Sequence, residues 1–278
     1  MSVVAASLAA AAFGAGDFLG GVAARRLDWR AVVLVALGSG LPVLGMAAYC
    51  LDETSGVSLP LLWCLCAGLG FALGVSLLYR ALAEGRMTEV APITAIVAIT
   101  VPAVVDVLTG KALTGHLAIG LVAACLSAVL LSGLGGQREA VQNRSGVIVA
   151  IVAGLGLAIF YIGLDQVDAA GAGVRGVLAI RATAFLAVAA FALRRGSCSF
   201  KPRSLGMAVA AGLLDGTANL LLMIAFATGG LAETSAIASL YPGATILLAI
   251  AILHERPSSI QGIGLLLAAP AIFLLKAG

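Results

Sequence analysis

Apolar residues run along this chain in long unbroken stretches, cut by short clusters of Gly, Pro and charge. With those clusters as punctuation, the runs lie near Val3–Val22, Ala31–Cys50, Pro60–Ala81, Val90–Leu108 and Leu117–Leu134. A second set lies near Gly146–Leu164, Val174–Leu193, Leu205–Ala227, Ala232–Leu253 and Ile260–Leu275. A bilayer core about 30 Å thick takes roughly 20 apolar residues in a helix. Lipid offers backbone groups no partner, so a spanning segment is a helix or part of a closed barrel. Barrel strands alternate apolar and polar positions, and these runs do not. The pattern predicts an all-α membrane protein of ten transmembrane helices.

Composition agrees with that solvent. Of the 278 residues 62% are hydrophobic and 10% charged, with a mean hydropathy of +1.13. Soluble domains carry about a quarter of their residues as charges. The sixteen Lys and Arg are scattered and nearly balanced by thirteen Asp and Glu, which argues against a nucleic-acid surface. Almost nothing lies outside the runs, so function is expected inside the bundle. The first run has no basic segment before it, while Arg25 and Arg26 follow it, so it is expected to be a retained helix rather than a cleaved signal. The five cysteines fit small apolar packing residues. Asn143-Arg144-Ser145 has glycosylation spacing, but its basic short loop is expected on the cytoplasmic side.

The chain also repeats itself. Gly68-Leu69 returns as Gly212-Leu213, Ala81 to Gly85 aligns with Ala225 to Gly229, and Glu89 matches Glu233. The same step of 144 carries Ile119-Gly120-Leu121 onto Ile263-Gly264-Leu265, and Leu130-Leu131 onto Leu274-Leu275. A constant register over three runs predicts duplication. The offset maps the third, fourth and fifth runs onto the eighth, ninth and tenth. That displacement of five is odd, so each helix would cross opposite to its mate. Two inverted five-helix repeats, 1–136 and 145–278, are the expected organisation, and inverted repeats are a common build of secondary transporters.

The second half carries a resemblance. Ala225-Phe226-Ala227-Thr228-Gly229-Gly230-Leu231-Ala232-Glu233, Ser239-Leu240-Tyr241-Pro242, then His254-Glu255-Arg256-Pro257 with Gln261-Gly262-Ile263-Gly264, resemble an EamA domain of the drug/metabolite transporter superfamily. Asp17-Phe18-Leu19-Gly20-Gly21 with Arg25-Arg26 is similar to the opening of a bacterial branch. The resemblance covers essentially the whole chain. It implies ten helices in two halves and carriage of small metabolites, usually outward. Lys111 stands where Glu255 stands in the second half, so the Glu-Arg turn occurs once.

Few polar groups fall at membrane depth, and each costs about 3 kcal/mol on insertion scales unless partnered or wetted. Asp17, Arg181 and Asp215 stand out, and an Asp–Arg pair would stabilise both charges, although spacing does not choose which Asp. Asn219 follows Asp215 by four residues and shares its helical face. It is either a pathway contact or a helix–helix hydrogen bond. Tyr241-Pro242, with Ser239 and Thr245 nearby, joins a carbonyl freed by proline to hydroxyls and a ring, which suits either a site wall or a packing kink. Thr94 is a weaker lining candidate on the fourth run. Glu89 and Glu233 suit helix capping. His116 and His254 fall in loops on opposite sides, so neither a metal site nor a catalytic triad is expected, and no phosphate-binding Gly-Lys loop occurs.

The expectation is therefore a secondary carrier in the cell membrane, an exporter of small metabolites such as amino acids or drug-like compounds, working by alternating access and open to proton coupling. The first, third, fourth, sixth, eighth and ninth helices would line its cavity. Asp17 and Asp215 would be the proton- or cation-sensitive groups, and Arg181 their partner or the contact for an anionic solute. Asn219, Ser239, Tyr241 and Thr94 would complete the pathway. No cofactor, metal or nucleic-acid partner is expected, and the assembly is a monomer or homodimer. A passive channel and a non-transporting scaffold remain the alternatives, and an intramembrane enzyme lacks a nucleophile and base at depth. Twelve basic residues fall in loops after odd-numbered runs and three on the other side, which places both termini outside. A reporter active only in the cytoplasm, fused after Gly278, should stay silent, and a signal would reverse the orientation.

Overall fold

The structure, a computed structural model, describes residues 2–50, 60–84, 87–110, 114–131, 144–195, 202–230, 234, 237–238, 240–253 and 259–276. Its helices are α1 (Ser2–Ala24), α2 (Trp29–Cys50), α3 (Leu61–Glu84), α4 (Met87–Leu108) and α5 (Gly115–Leu131). They continue with α6 (Arg144–Ala169), α7 (Gly173–Arg195), α8 (Pro202–Thr228), α9 (Tyr241–Leu253) and α10 (Ser259–Lys276). No strand occurs among the described residues. Among the described residues six helices, α1, α2, α3, α6, α7 and α8, are long and apolar enough to cross a membrane. The 23 residues of α1 rise about 35 Å, somewhat more than the hydrocarbon thickness.

Local sequence explains the helix ends. Asp28 caps α2: its carboxylate accepts the Arg30 backbone N–H at 3.0 Å and the Arg30 Nε at 3.3 Å. α6 closes on Gly171, whose φ of 70° is a left-handed conformation that costs glycine little. There the Gly171 N–H donates to Asp168 O at 2.8 Å and the Ala172 N–H to Val167 O at 3.2 Å. The ninth run departs from expectation. In place of one continuous helix from Ala232, a turn at Leu240 precedes α9, which begins at Tyr241 with Pro242 in its first turn. Proline has no N–H to give and its φ suits a helix start, so Pro242 opens a helix here rather than kinking one.

The outer surface is apolar. Leu62 is 71% exposed, Leu186 64% and Leu266 78%. Spread over a water-facing surface, such side chains would drive association; facing acyl chains they need no cover. Cys50 and Cys66 share this exposure, contrary to the expectation that the cysteines pack inside, whereas Cys64 is buried.

In lipid no hydrophobic effect pulls helices together, so close contact must come from small residues. α3 lies along α6 and α1 along α8, while α2 packs on both α7 and α8. α4 packs on α6, α1 on α9, and α5 on α10. At the α3–α6 crossing, a Cβ on Gly156 would stand 2.7 Å from both Gly70 O and Gly74 N. Both neighbours are backbone and neither can swing aside. Gly156→Ala should therefore separate these helices at a cost of about 1–3 kcal/mol, read as a lower thermal unfolding midpoint of the purified protein. An unchanged midpoint would contradict the crossing.

Candidate functional site

Arg181, on α7, is 1% exposed. Burying a guanidinium at membrane depth requires that its donors be met, and here four of the five N–H groups have partners. Its Nε donates to Leu37 O at 3.0 Å, and its Nη2 to Ala36 O at 2.8 Å and to Gly212 O at 3.4 Å. Its Nη1 pairs with the Asp215 Oδ2. Three helices, α2, α7 and α8, are tied at this one head group.

The carbonyls can reach it because α2 and α8 nearly touch. A Cβ on Gly40 would fall on the Arg181 guanidinium, and one on Gly212 would fall on Ala36 O and the Ser39 hydroxyl. Ser39 adds a hydrogen bond across the same contact, donating to Val209 O at 3.1 Å. Asn219, one turn below Asp215, donates through Nδ2 to Asp215 O at 2.7 Å and to its Oδ2 at 3.3 Å. This amide holds the carboxylate in place from within α8; it is not a contact between helices.

Beside the pair lies a cavity of about 30 Å³, room for about two waters. Phe13 and Asp17 enter it from α1, Phe71, Val75 and Leu78 from α3, and Leu157, Phe160 and Tyr161 from α6. Asp215 of α8 and Tyr241 of α9 complete the lining. Two of the groups expected at depth, Asp17 and Asp215, thus share one wall, and Tyr241 joins them. Phe71 and Phe160 stack with centroids 4.6 Å apart, and Tyr161 tilts against Phe160 at 5.5 Å. Tyr79 lies within electrostatic reach of Asp17, Asp215 and Arg181, and a Cβ on Gly20 would stand 2.5 Å from its hydroxyl, so only glycine leaves room for this ring.

Other expected residues lie elsewhere. Thr94 donates to Ala150 O at 3.2 Å in the α4–α6 contact, and no residue of α4 lines the cavity among the described residues. Arg181 stands behind Asp215 and is not part of the lining. Thr245 donates to Gly14 O at 3.0 Å, fastening α9 to α1. Ser239, Glu233, Lys111, Asn143, Cys198, His254 and the Glu255-Arg256 turn lie outside the described residues. Among the described residues no group of His, Cys, Asp and Glu could hold a metal.

The aromatic wall carried no polar mark that would single it out along the chain. One signal did exist. Tyr161 and Phe71 stand 144 positions from Asp17 and Asp215, so each carboxylate has an aromatic residue at its repeat position. Arg181 likewise donates to the carbonyl of Leu37, its own mate at that spacing.

A model of the EamA-like transporter family matches residues 144–277. No curated protein matches the chain. Chains of solved structures that match number 23. One, described only as the crystal structure of a protein, aligns with a TM-score of 0.73 at 15% identity, over 98% of this chain and 96% of its own. At that identity the likeness speaks for the fold alone.

Breaking the buried pair from one side should be costly. Arg181→Met leaves Asp215 without its cation and should lower stability by about 3–5 kcal/mol. Adding Asp215→Leu should recover much of that loss, so a double-mutant cycle on the purified protein should give strong coupling. Additive losses would show that the two side chains act independently.

Proposed function

We propose, from the premise that the chain belongs to the EamA-like transporter family through residues 144–277, that it is a secondary carrier. It is a multi-pass protein of the cell membrane. It exports small metabolites, such as amino acids or drug-like compounds, by alternating access at the cavity between α1, α3, α6, α8 and α9. One observation carries this reading: two carboxylates, one paired and one unpaired, line a cavity inside an apolar bundle. Ionisable groups at membrane depth are costly and mark solute or ion paths.

The packing fits ten spanning helices in two inverted halves, 1–136 and 145–278. Exchanging the halves turns the α1–α8 contact into α6–α3, α2–α8 into α7–α3, and α4–α6 into α9–α1, and each of these contacts occurs. Finer detail follows the same exchange. Gly68 packs on Ile180 O and Thr183 of α7, while its mate Gly212 packs on Ala36 O and Ser39 of α2, and these neighbours are themselves 144 apart. In such a fold the site lies at the interface of the repeats, and rocking one half against the other opens it to alternate sides.

Asp17 and Asp215 then have separate tasks. Asp215 is held by Arg181 and Asn219 and keeps α8 in register with α2 and α7. Asp17 has no hydrogen bond or ion pair among the described residues and faces the cavity, so it is the group that answers to a solute or to a coupling proton. A metabolite panel screened by thermal shift supplies solutes for counterflow in proteoliposomes. Saturable counterflow is expected, and Asp17→Asn should reduce it at least tenfold. Flux that does not saturate would favour a channel, and absence of flux for every binding solute would favour a scaffold.

A further inference from the structure

The cavity presents its occupant with one sign of charge. Asp17 and Asp215 are in its lining, no Lys or Arg is among the described lining residues, and Arg181 behind Asp215 is already engaged by that carboxylate and the carbonyls of Leu37, Ala36 and Gly212. Arg181 balances Asp215, which leaves Asp17 without a counter-charge among the described residues. The Tyr241 hydroxyl, buried on a residue 3% exposed, has no hydrogen-bond partner among the described residues. A buried hydroxyl without a partner in a cavity wall points to an occupant that supplies one.

The remaining wall joins Phe13, Val75, Leu78 and Leu157 to the Phe71–Phe160–Tyr161 group. Aromatic faces are negative, so they attract cations and repel anions. A carboxylate in this space would meet two carboxylates and a largely aromatic wall, with no cationic side chain among the described lining residues. A neutral apolar group would leave Asp17 and Tyr241 without partners. A protonated amine satisfies each: its N–H groups donate to Asp17 and to the Tyr241 oxygen, and its charge lies against the rings. The volume of about 30 Å³ suits an ammonium head rather than a whole solute, so the carbon body requires the bundle to open.

We propose that this cavity is the binding site for the protonated amino group of a small organic amine with an apolar body. Asp17 is its counter-ion, Tyr241 its hydrogen-bond acceptor, and the aromatic wall its second electrostatic support. This assignment rests on the carrier function proposed above and names the chemistry of its solute. Asp17 and Tyr241, from α1 and α9, then join the two halves of the chain through the ligand.

Three probes of matched shape test it by titration calorimetry on the purified full chain: 2-phenylethylamine, 2-phenylethanol and 3-phenylpropionate. The amine should bind saturably, with the alcohol and the acid at least tenfold weaker. Asp17→Asn, which keeps shape and removes charge, should weaken the amine at least tenfold at an unchanged thermal unfolding midpoint. Tyr241→Phe should weaken it about threefold to tenfold and serves as the independent variant if Asp17→Asn fails to fold. Equal binding of the acid or alcohol, no saturable binding of the amine, or full affinity in a folded Asp17→Asn or Tyr241→Phe variant would overturn the assignment. Amine binding without counterflow would overturn the carrier function and leave the amine site standing. Counterflow of a solute lacking an amine would do the reverse.

Discussion

A guanidinium without water around it must find its partners in the protein, and the placement of α2, α7 and α8 follows from how Arg181 does so. It spends its donors on Asp215 and on carbonyls from α2 and α8, which requires backbones in near contact. Gly40 and Gly212 permit that contact, since a methyl group at either position would occupy the space of the head group or of Ala36 O. The pair is no large source of net stability, because desolvating two ions offsets most of their attraction. Its consequence is registration: sliding any one of the three helices strands a charge in the apolar interior. Asn219 narrows the geometry further by holding the Asp215 carboxylate from below.

That registration accounts for the character of the neighbouring cavity. With Arg181 and Asp215 satisfying each other, Asp17 is left as the group whose charge has no fixed answer among the described residues. The proposed duplication sharpens the contrast. At the repeat spacing, Asp17 is matched by Tyr161, Asp215 by Phe71, and Arg181 by Leu37. Each half thus supplies one carboxylate and one ring, Asp17 and Phe71 from the first and Asp215 and Tyr161 from the second, so a backbone of near two-fold symmetry encloses a site that is acidic where α1 meets α8 and aromatic where α3 meets α6. A solute with an amine at one end and an apolar body is oriented by such a site.

Much of this was legible along the chain, for a physical reason. Lipid penalises charge and unpaired backbone so heavily that the long apolar runs mark the helices. Each of the ten expected runs meets a helix among the described residues, with ends shifted by a few positions except in the ninth, whose helix starts nine residues later at Tyr241. The same penalty singles out Asp17, Arg181 and Asp215, and two of these line the cavity. Legibility fails where the chemistry depends on what crosses what. Phe71 and Phe160 read as any apolar residue until packing turns them inward, and Thr94 reads as a lining residue until its hydroxyl meets Ala150 O. The carbonyls of Ala36, Leu37 and Gly212 carry no mark in sequence at all. Pro242 was visible, but whether a proline bends a helix or starts one depends on the turn before it, at Leu240.

The central claim is that one cavity inside this bundle is reached alternately from the two sides of the membrane. Val75 lines it from α3 and can be replaced by a small thiol without loss of a polar partner. Side-specific labelling of Val75→Cys with a membrane-impermeant maleimide, in right-side-out and in inverted vesicles and against the unsubstituted chain as background, tests that claim most directly. The account predicts labelling from both sides, with an added transported solute slowing it in both orientations. Labelling from one side alone, whatever the solute, would contradict it.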